Sequence, residues 1–348
     1  MAPRRFVSTV AGPADRGREF GRTHADAVAR TVAAYTRFFG NYSDQLDLAG
    51  WGRSALARID AWAPELGEEI RGIAEGAQVP TEQVAAINAR TEILGIIRPK
   101  ELAPDECSSV VDIGAAQPFA VQNWDWYDAM SGNWLEWTIE HPDGRRVTTV
   151  TEYGIVGKIG INDRGLGVLL NMLRHADDGG EIGVPVHAVS RRILDTAADV
   201  PAALAVCGSA AVSASTSLTI ATRHTAVSVE LWPGGPGHVL PAEDGLLLRT
   251  NHFLTDPARP GDLVPLSESD SVDRFVELQR KLGGRGRELN PAAVVAVLGS
   301  HDGDLCCHPD PSLVPELRHA TLATVQLNLT EATVTTYPGT PCQHVPAA

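Results

Sequence analysis

The chain has 348 residues, 43% of them hydrophobic, and a formal net charge of −14 at neutral pH. That is enough apolar content for a packed core in one large domain or two ordinary ones, and so acidic a balance repels phosphate backbones, which excludes nucleic acid as an expected partner. No apolar run approaches a membrane span, and the start Arg4-Arg5-Phe6 is not followed by the apolar stretch of a secretory signal, so no membrane partner and a cytoplasmic location are expected.

In chain order, apolar residues at Phe20, Ala27, Val28, Val32, Tyr35 and Phe39 recur at helical spacing and predict one long amphipathic helix over 15–39. Shorter helices are predicted at 51–62, at 64–76 with Pro64 at its start, and at 81–94 behind Pro80. The loop 98–106 closes this helical part. Strands then follow at 108–113, 119–124, 134–140, 146–151, 156–161 and 166–171, separated by turn residues such as Asp143-Gly144. Helices return at 185–196 and 200–207, strands at 217–222, 226–232, 238–241 and 245–250, helices at 269–282 and 291–298, and a last strand pair at 320–328 and 332–337. Strands grouped between helical blocks predict an α+β fold with two sheets face to face and helices outside. The loop 300–317 is long for a connector and is a candidate site loop.

Cys107 stands where helices give way to strands. A thiol needs a proton acceptor to become a nucleophile, and a free α-amino group, of pKa about 7.7–8.0, is one. A cut between Glu106 and Cys107 would place that amine on the nucleophile's own residue, dividing the chain into a helical segment, 1–106, and a strand-rich one, 107–348. The plainer reading is a buried thiol at a strand start. The five cysteines are odd in number and unevenly spaced, which predicts reduced thiols.

In Gln122-Asn123-Trp124-Asp125-Trp126 the period of two sets Asp125 on the face opposite both tryptophans, which are therefore expected in the core and not in an acyl pocket. Glu152 and Lys158 read as supporting residues. Cys306-Cys307-His308 suggests a metal, but adjacent cysteines rarely ligate one tetrahedral ion and no fourth partner has suitable spacing, so the expectation is a loop-lining role and no metal.

Five further stretches matter as a set: Asn88-Ala89-Arg90-Thr91-Glu92, the run 151–162, Gly183-Val184-Pro185-Val186-His187, Arg249-Thr250-Asn251-His252 and Leu317-Arg318-His319-Ala320-Thr321-Leu322. In this order and with Cys107 and Asp125 they resemble the peptidase C45 family, acyl-coenzyme A:isopenicillin N acyltransferase-like members of the N-terminal nucleophile hydrolase superfamily. The resemblance implies a four-layer αββα sandwich made as a precursor that cuts itself and whose two pieces stay associated. It implies Cys107 as nucleophile, Asp125 beside the nucleophile's amine, Asn251 as oxyanion donor and Arg318 as the arginine of the site. Ser109 falls where the family has a hydroxyl residue used in self-cleavage, and Glu106 stands where it usually has glycine. The implied activity is transfer or hydrolysis of an acyl group through a Cys107 acyl-enzyme, with a small N-acyl amide or acyl thioester as donor, an amine as possible acceptor, and no cofactor. Two alternatives stay open: a linear-amide hydrolase of the choloylglycine or penicillin V acylase kind, and an uncleaved, inactive relative that binds a small acylated ligand.

Overall fold

The computed structural model describes residues 3–100, 107–267 and 269–344. A short first strand, β1 (Arg5–Ser8), precedes the helices, so the leading segment is not helical throughout. The periodicity over 15–39 folds as two helices, α1 (Pro13–Thr23) and α2 (Ala25–Gly40), because His24 leaves the helical basin at φ −122°, ψ 26°. The Asp47 carboxylate caps α3 (Leu48–Trp62) by accepting from the Gly50 N–H, and a left-handed Gln78 ends α4 (Pro64–Ala77). The predicted 81–94 helix breaks at Ala89 into α5 (Thr81–Asn88) and α6 (Arg90–Ile97).

Helices α1 and α4 touch backbone to backbone. A Cβ on Gly17 would stand 2.2 Å from the Glu69 carbonyl oxygen, and one on Gly72 2.2 Å from that of Ala14. The contact also buries Glu69 between Arg16 of α1 and Arg191, whose Nη1 lies 2.6 Å from Glu69 Oε1.

Beyond residue 106 the strands are β2 (Cys107–Asp112), β3 (Phe119–Tyr127), β4 (Trp134–Glu140), β5 (Arg146–Glu152), β6 (Ile159–Asn162) and β7 (Gly167–Met172). Helices α7 (Val186–Thr196) and α8 (Val200–Ser209) lead to β8 (Thr216–Ala221), β9 (Ala226–Leu231), β10 (Gly237–Val239) and β11 (Leu246–Arg249). Helices α9 (Ser271–Leu282) and α10 (Pro291–Leu298) precede β12 (His319–Asn328) and β13 (Thr333–Pro338). They form an eight-stranded sheet, β1-β4-β5-β6-β7-β8-β9-β10, and a five-stranded sheet, β11-β2-β3-β12-β13.

Alternation along the strands then dictates the layers. Trp124, Val150, Leu170, Leu218 and Val325 fill the space between the sheets. Leu135, Trp137 and Ile139 point the other way, onto Phe20, Ile70 and Ile73 of the leading helices. Val110, Val121 and Leu246 on the outside of the smaller sheet meet Leu278, Leu282, Val294 and Leu298 of α9 and α10. The result is the expected αββα order. The central core draws Tyr35, Phe38 and Ile93 from before residue 106, so both segments build it. Among the described residues no helix is long and apolar enough to cross a membrane.

The α1–α4 contact can be tested directly. Gly17→Ala must push the two helices apart and is expected to destabilise the protein by about 1–3 kcal/mol, read as a lower urea midpoint. Gly40→Ala, at a glycine with open space around its Cβ position, is the control and should leave the midpoint nearly unchanged.

Candidate active site

Cys107 opens β2, the second strand of the smaller sheet, antiparallel to β3 and opposite Trp124, with the edge strand β11 on its other side. Its main chain is held on both polar atoms. The N–H donates to Asn251 Oδ1 at 2.7 Å, and the carbonyl accepts from Asn171 Nδ2 at 3.1 Å and Arg274 Nη1 at 3.0 Å. Each holder is itself fixed. Asn251 lies just past β11, where its N–H donates to Ser271 Oγ at the start of α9 and its Nδ2 to the Met172 carbonyl at 2.9 Å. Asn171 on β7 accepts from Ser109 Oγ at 2.7 Å. Arg274, fully buried on α9, also donates to Ser108 Oγ at 2.9 Å and Asn251 Oδ1 at 3.1 Å, and pairs with Asp270 one turn back at 2.5 Å.

Asp125 lies on the outer face of the smaller sheet, as the period of two predicts. Its carboxylate accepts from Thr321 Oγ1 across the β3–β12 pair, beside a bulge between Thr321 and Ala323. Trp124 and Trp126 are buried in the core as expected, but the expected separation of these tryptophans from the site is not found. Cys107 pairs with Trp124 and so shares the tryptophans' face, and one narrow cavity, with room for about one water, is lined by Cys107, Trp124, Asp125, Trp126, Arg90 and Lys158. The thiol reaches the Asp125 carbonyl in a weak 3.8 Å contact, and among the described residues no hydrogen bond joins the Asp125 carboxylate to Cys107.

Arg318 is not brought to the nucleophile. Its guanidinium donates to the carbonyls of Leu313 and Pro311, at 2.8 and 3.1 Å, and fastens its own loop. Glu106 lies outside the described residues. Arg274 and Asn171 were not singled out in the sequence; the only local signal was the Asp270–Arg274 spacing of four, which equally fits a solvated helix pair. Lys158, expected in support, lines the cavity itself. Its Nζ sits 3.7 Å above the Trp124 ring centre and 2.6 Å from Glu152 Oε2. Glu152 also accepts from Tyr35 and faces Arg90 at 3.6 Å.

Burial sets the electrostatics. It pushes the Cys107 thiol up to about 12, with the Asp125 charge adding to the rise and Lys158 and Arg274 opposing it. The Asp125 carboxyl rises to about 7 by burial, against the Thr321 hydrogen bond and Arg274. Lys158 falls to about 7, driven by burial and then by Arg90, with Glu152 pulling it back. A neutral thiol thus shares a cavity with a lysine whose proton is only loosely held near neutrality.

The sequence model of the acyl-coenzyme A:6-aminopenicillanic acid acyl-transferase family matches residues 114–342, which takes in Asp125, Asn171, Asn251, Arg274 and Arg318 but not Cys107. The chain is 29% identical over 223 residues to the 40 kDa form of acyl-coenzyme A:6-aminopenicillanic-acid-acyltransferase of Emericella nidulans, a match covering 64% of this chain and 60% of that protein. Among solved structures it is similar to penicillin V acylase from Agrobacterium tumefaciens, with TM-score 0.43 and 14% identity over 67% of this chain and 83% of that one. A mutant conjugated bile acid hydrolase from Clostridium perfringens gives TM-score 0.44 and 12% identity, over 67% and 92% of the two chains.

The raised Asp125 pKa has a stability consequence. Ionising Asp125 is harder in the folded protein than in the unfolded chain, so its penalty is absent below the ordinary value of 3.8, grows as pH rises towards 7 and is constant above. In a Cys107→Ala background, the chain with Asp125 should therefore lose stability relative to Asp125→Asn between about pH 4 and about pH 7, by up to about 4 kcal/mol. Urea midpoints of the two variants across that range measure it; a difference independent of pH would refute the shift.

Proposed function

Because the chain belongs to the acyl-coenzyme A:6-aminopenicillanic acid acyl-transferase family, we propose that it is a self-processing cysteine hydrolase or acyltransferase acting on an N-acyl amide or acyl thioester through a Cys107 acyl-enzyme. The observation that supports this most is the clamp on the Cys107 main chain. Asn251 holds the nitrogen, Asn171 and Arg274 hold the carbonyl, and Cys107 lines the narrow cavity.

In the proposed self-cleavage, Cys107 Sγ adds to the Glu106 carbonyl carbon. The bond from that carbon to the Cys107 nitrogen breaks as a proton reaches the nitrogen, leaving a thioester. Water then gives the Glu106 carboxylate and returns the thiol. Before the cut the Cys107 nitrogen is an amide and cannot act as base, so the thiol proton goes to Lys158, which lines the same cavity and is lowered to about 7. Ser109 acts through Asn171, which it orients onto the Cys107 carbonyl. After the cut the new α-amine takes the thiol proton, the thiolate attacks the substrate carbonyl, and the amine or thiol leaving group departs with that proton. Water or an acceptor amine then releases the acyl group. Asp125, ionised as pH rises through about 7, balances the ammonium formed at Cys107. Asn251 anchors that nitrogen through Oδ1; the oxyanion donation expected of it falls to Nδ2, which here lies on the Met172 carbonyl.

Intact mass tests processing. Two associated pieces, 1–106 and 107–348, are expected. Cys107→Ala should stay full length, and Lys158→Met should slow the appearance of the pieces by about 10²-fold or more. A wild-type chain that stays whole on long incubation would overturn the reading in favour of an uncleaved relative that binds its ligand.

Turnover separates the two arginines. With a panel of N-acyl amides and acyl thioesters, assayed with and without an added amine, Arg274→Gln should cost about 10²-fold or more in kcat. Arg318→Gln, which frees only loop carbonyls, should cost far less. The reverse order would put Arg318 in the site and Arg274 out of it.

A further inference from the structure

Away from the cavity, the long loop between α10 and β12 meets the turn Pro341–Gln343 that follows β13. Four side chains converge there: His301, Cys306, His308 and Cys342, whose ligand atoms all lie within 4.8 Å of one another. His308 Nε2 stands 3.1 Å from His301 Nε2, 3.5 Å from Cys306 Sγ and 3.5 Å from Cys342 Sγ. A single imidazole nitrogen carries either one proton or one lone pair, so hydrogen bonding cannot satisfy three such neighbours at once.

A cation at the centre resolves the conflict. With Zn–N near 2.0–2.1 Å and Zn–S near 2.3 Å, the edges of a tetrahedron are about 3.4 Å between two nitrogens and about 3.6 Å between nitrogen and sulfur. The three separations at His308 match these edges to within a few tenths of an ångström. The donor set points to the ion: two imidazoles and two thiols suit zinc(II), and two thiolates neutralise its charge. We propose that His301, Cys306, His308 and Cys342 bind one zinc(II) ion in tetrahedral geometry, fastening the turn after β13 to the loop before β12.

The spacing argument against a metal fails for a visible reason. Cys307 supplies no ligand; its main chain pairs with Thr321, whose N–H donates to the Cys307 carbonyl at 3.0 Å and whose Oγ1 accepts from the Cys307 N–H at 3.2 Å. Of the remaining two ligands, His301 stands five residues before Cys306, near enough for spacing to have shown it, whereas Cys342 lies 34 residues beyond His308, where spacing gives no sign. The same loop is tied to the active-site strands. The Leu305 carbonyl accepts from Asn123 Nδ2 at 2.8 Å, and Thr321 Oγ1 also donates to Asp125. An ion here therefore steadies the residues that hold Asp125. The site does not depend on the acyl-transfer reading, because none of its ligands takes part in it.

The test uses the full-length chain without a polyhistidine tag, in the Cys107→Ala background, kept reduced, given equimolar zinc and then dialysed. About one zinc per chain is expected by plasma emission, and cobalt(II) in its place should give the absorption of a tetrahedral thiolate-ligated ion. Cys342→Ser and His301→Ala should each weaken zinc binding at least about tenfold. His301 is exposed, so that variant should fold even where Cys306→Ser does not, and circular dichroism checks that it has. Substoichiometric zinc, an octahedral cobalt spectrum, or undiminished binding in both variants would overturn the proposal. So would an intact mass two hydrogens light with a Cys306–Cys342 disulfide that forms in the presence of zinc.

Discussion

The buried guanidinium of Arg274 is the contact on which the centre of the molecule depends. It donates to the Cys107 carbonyl, to Ser108 Oγ and to Asn251 Oδ1, and its charge is matched by Asp270 one turn earlier on α9. An unpaired charge at this depth would cost several kcal/mol, so the four groups hold one another in a single arrangement. Helix α9, the start of β2 and Asn251, two residues past β11, are fixed together by this one group. Arg274 also opposes what burial does to both Asp125 and Cys107, lowering each carboxyl or thiol pKa that burial raises. Burial still wins in both cases, which keeps the thiol protonated and leaves Asp125 near its midpoint at neutral pH.

A second buried network binds the part of the chain before Cys107 to the part after it. Glu152 on β5 accepts from Tyr35 of α2, pairs with Lys158 at 2.6 Å and faces Arg90 of α6 at 3.6 Å; Trp126 Nε1 donates to the Tyr35 hydroxyl at 3.0 Å. Arg90 stacks over the Trp126 ring at 3.9 Å. None of these contacts uses the bond between residues 106 and 107. A cut there would break none of them, while pulling the pieces apart would strand buried charges at a cost of about 3–5 kcal/mol for each broken pair. The same network explains why Lys158 holds its proton weakly: it is desolvated, and the Arg90 cation opposes the pull of Glu152.

The layers and most element positions were legible because alternation and helical periodicity are local signals. The misses have physical causes. The helices over 15–39 and 81–94 break at His24 and Ala89, residues that carry no breaker chemistry, where the chain turns to pack on the sheets. Strand β1 is too short to show alternation and is stabilised by parallel pairing with β4. At the site, the period of two correctly opposed Asp125 to its tryptophans, but it could not say which face the nucleophile takes. That depends on the register of β2 against β3, which sets Cys107 opposite Trp124. Arg274 and Asn171 were hidden for a similar reason, since an i,i+4 ion pair and a lone asparagine in a strand acquire meaning only when α9 and β7 arrive at Cys107 from opposite sides of the smaller sheet.

The proposed chemistry needs two different bases at two different times, and the geometry bears on both. While the chain is whole, the Cys107 nitrogen is an amide that donates to Asn251 and has no basic lone pair to offer. A thiol held near 12 by burial cannot then ionise unaided, and in the proposed chemistry the depressed Lys158, which lines the same cavity, accepts the proton. Once a cut makes that nitrogen an amine, the base sits on the same residue as the sulfur and Lys158 is no longer required as acceptor. Its remaining effect is electrostatic: with Arg274 it favours the thiolate. The same lysine would thus control the rate of maturation strongly and the rate of turnover only through its charge, which is why a neutral replacement should affect the two processes unequally.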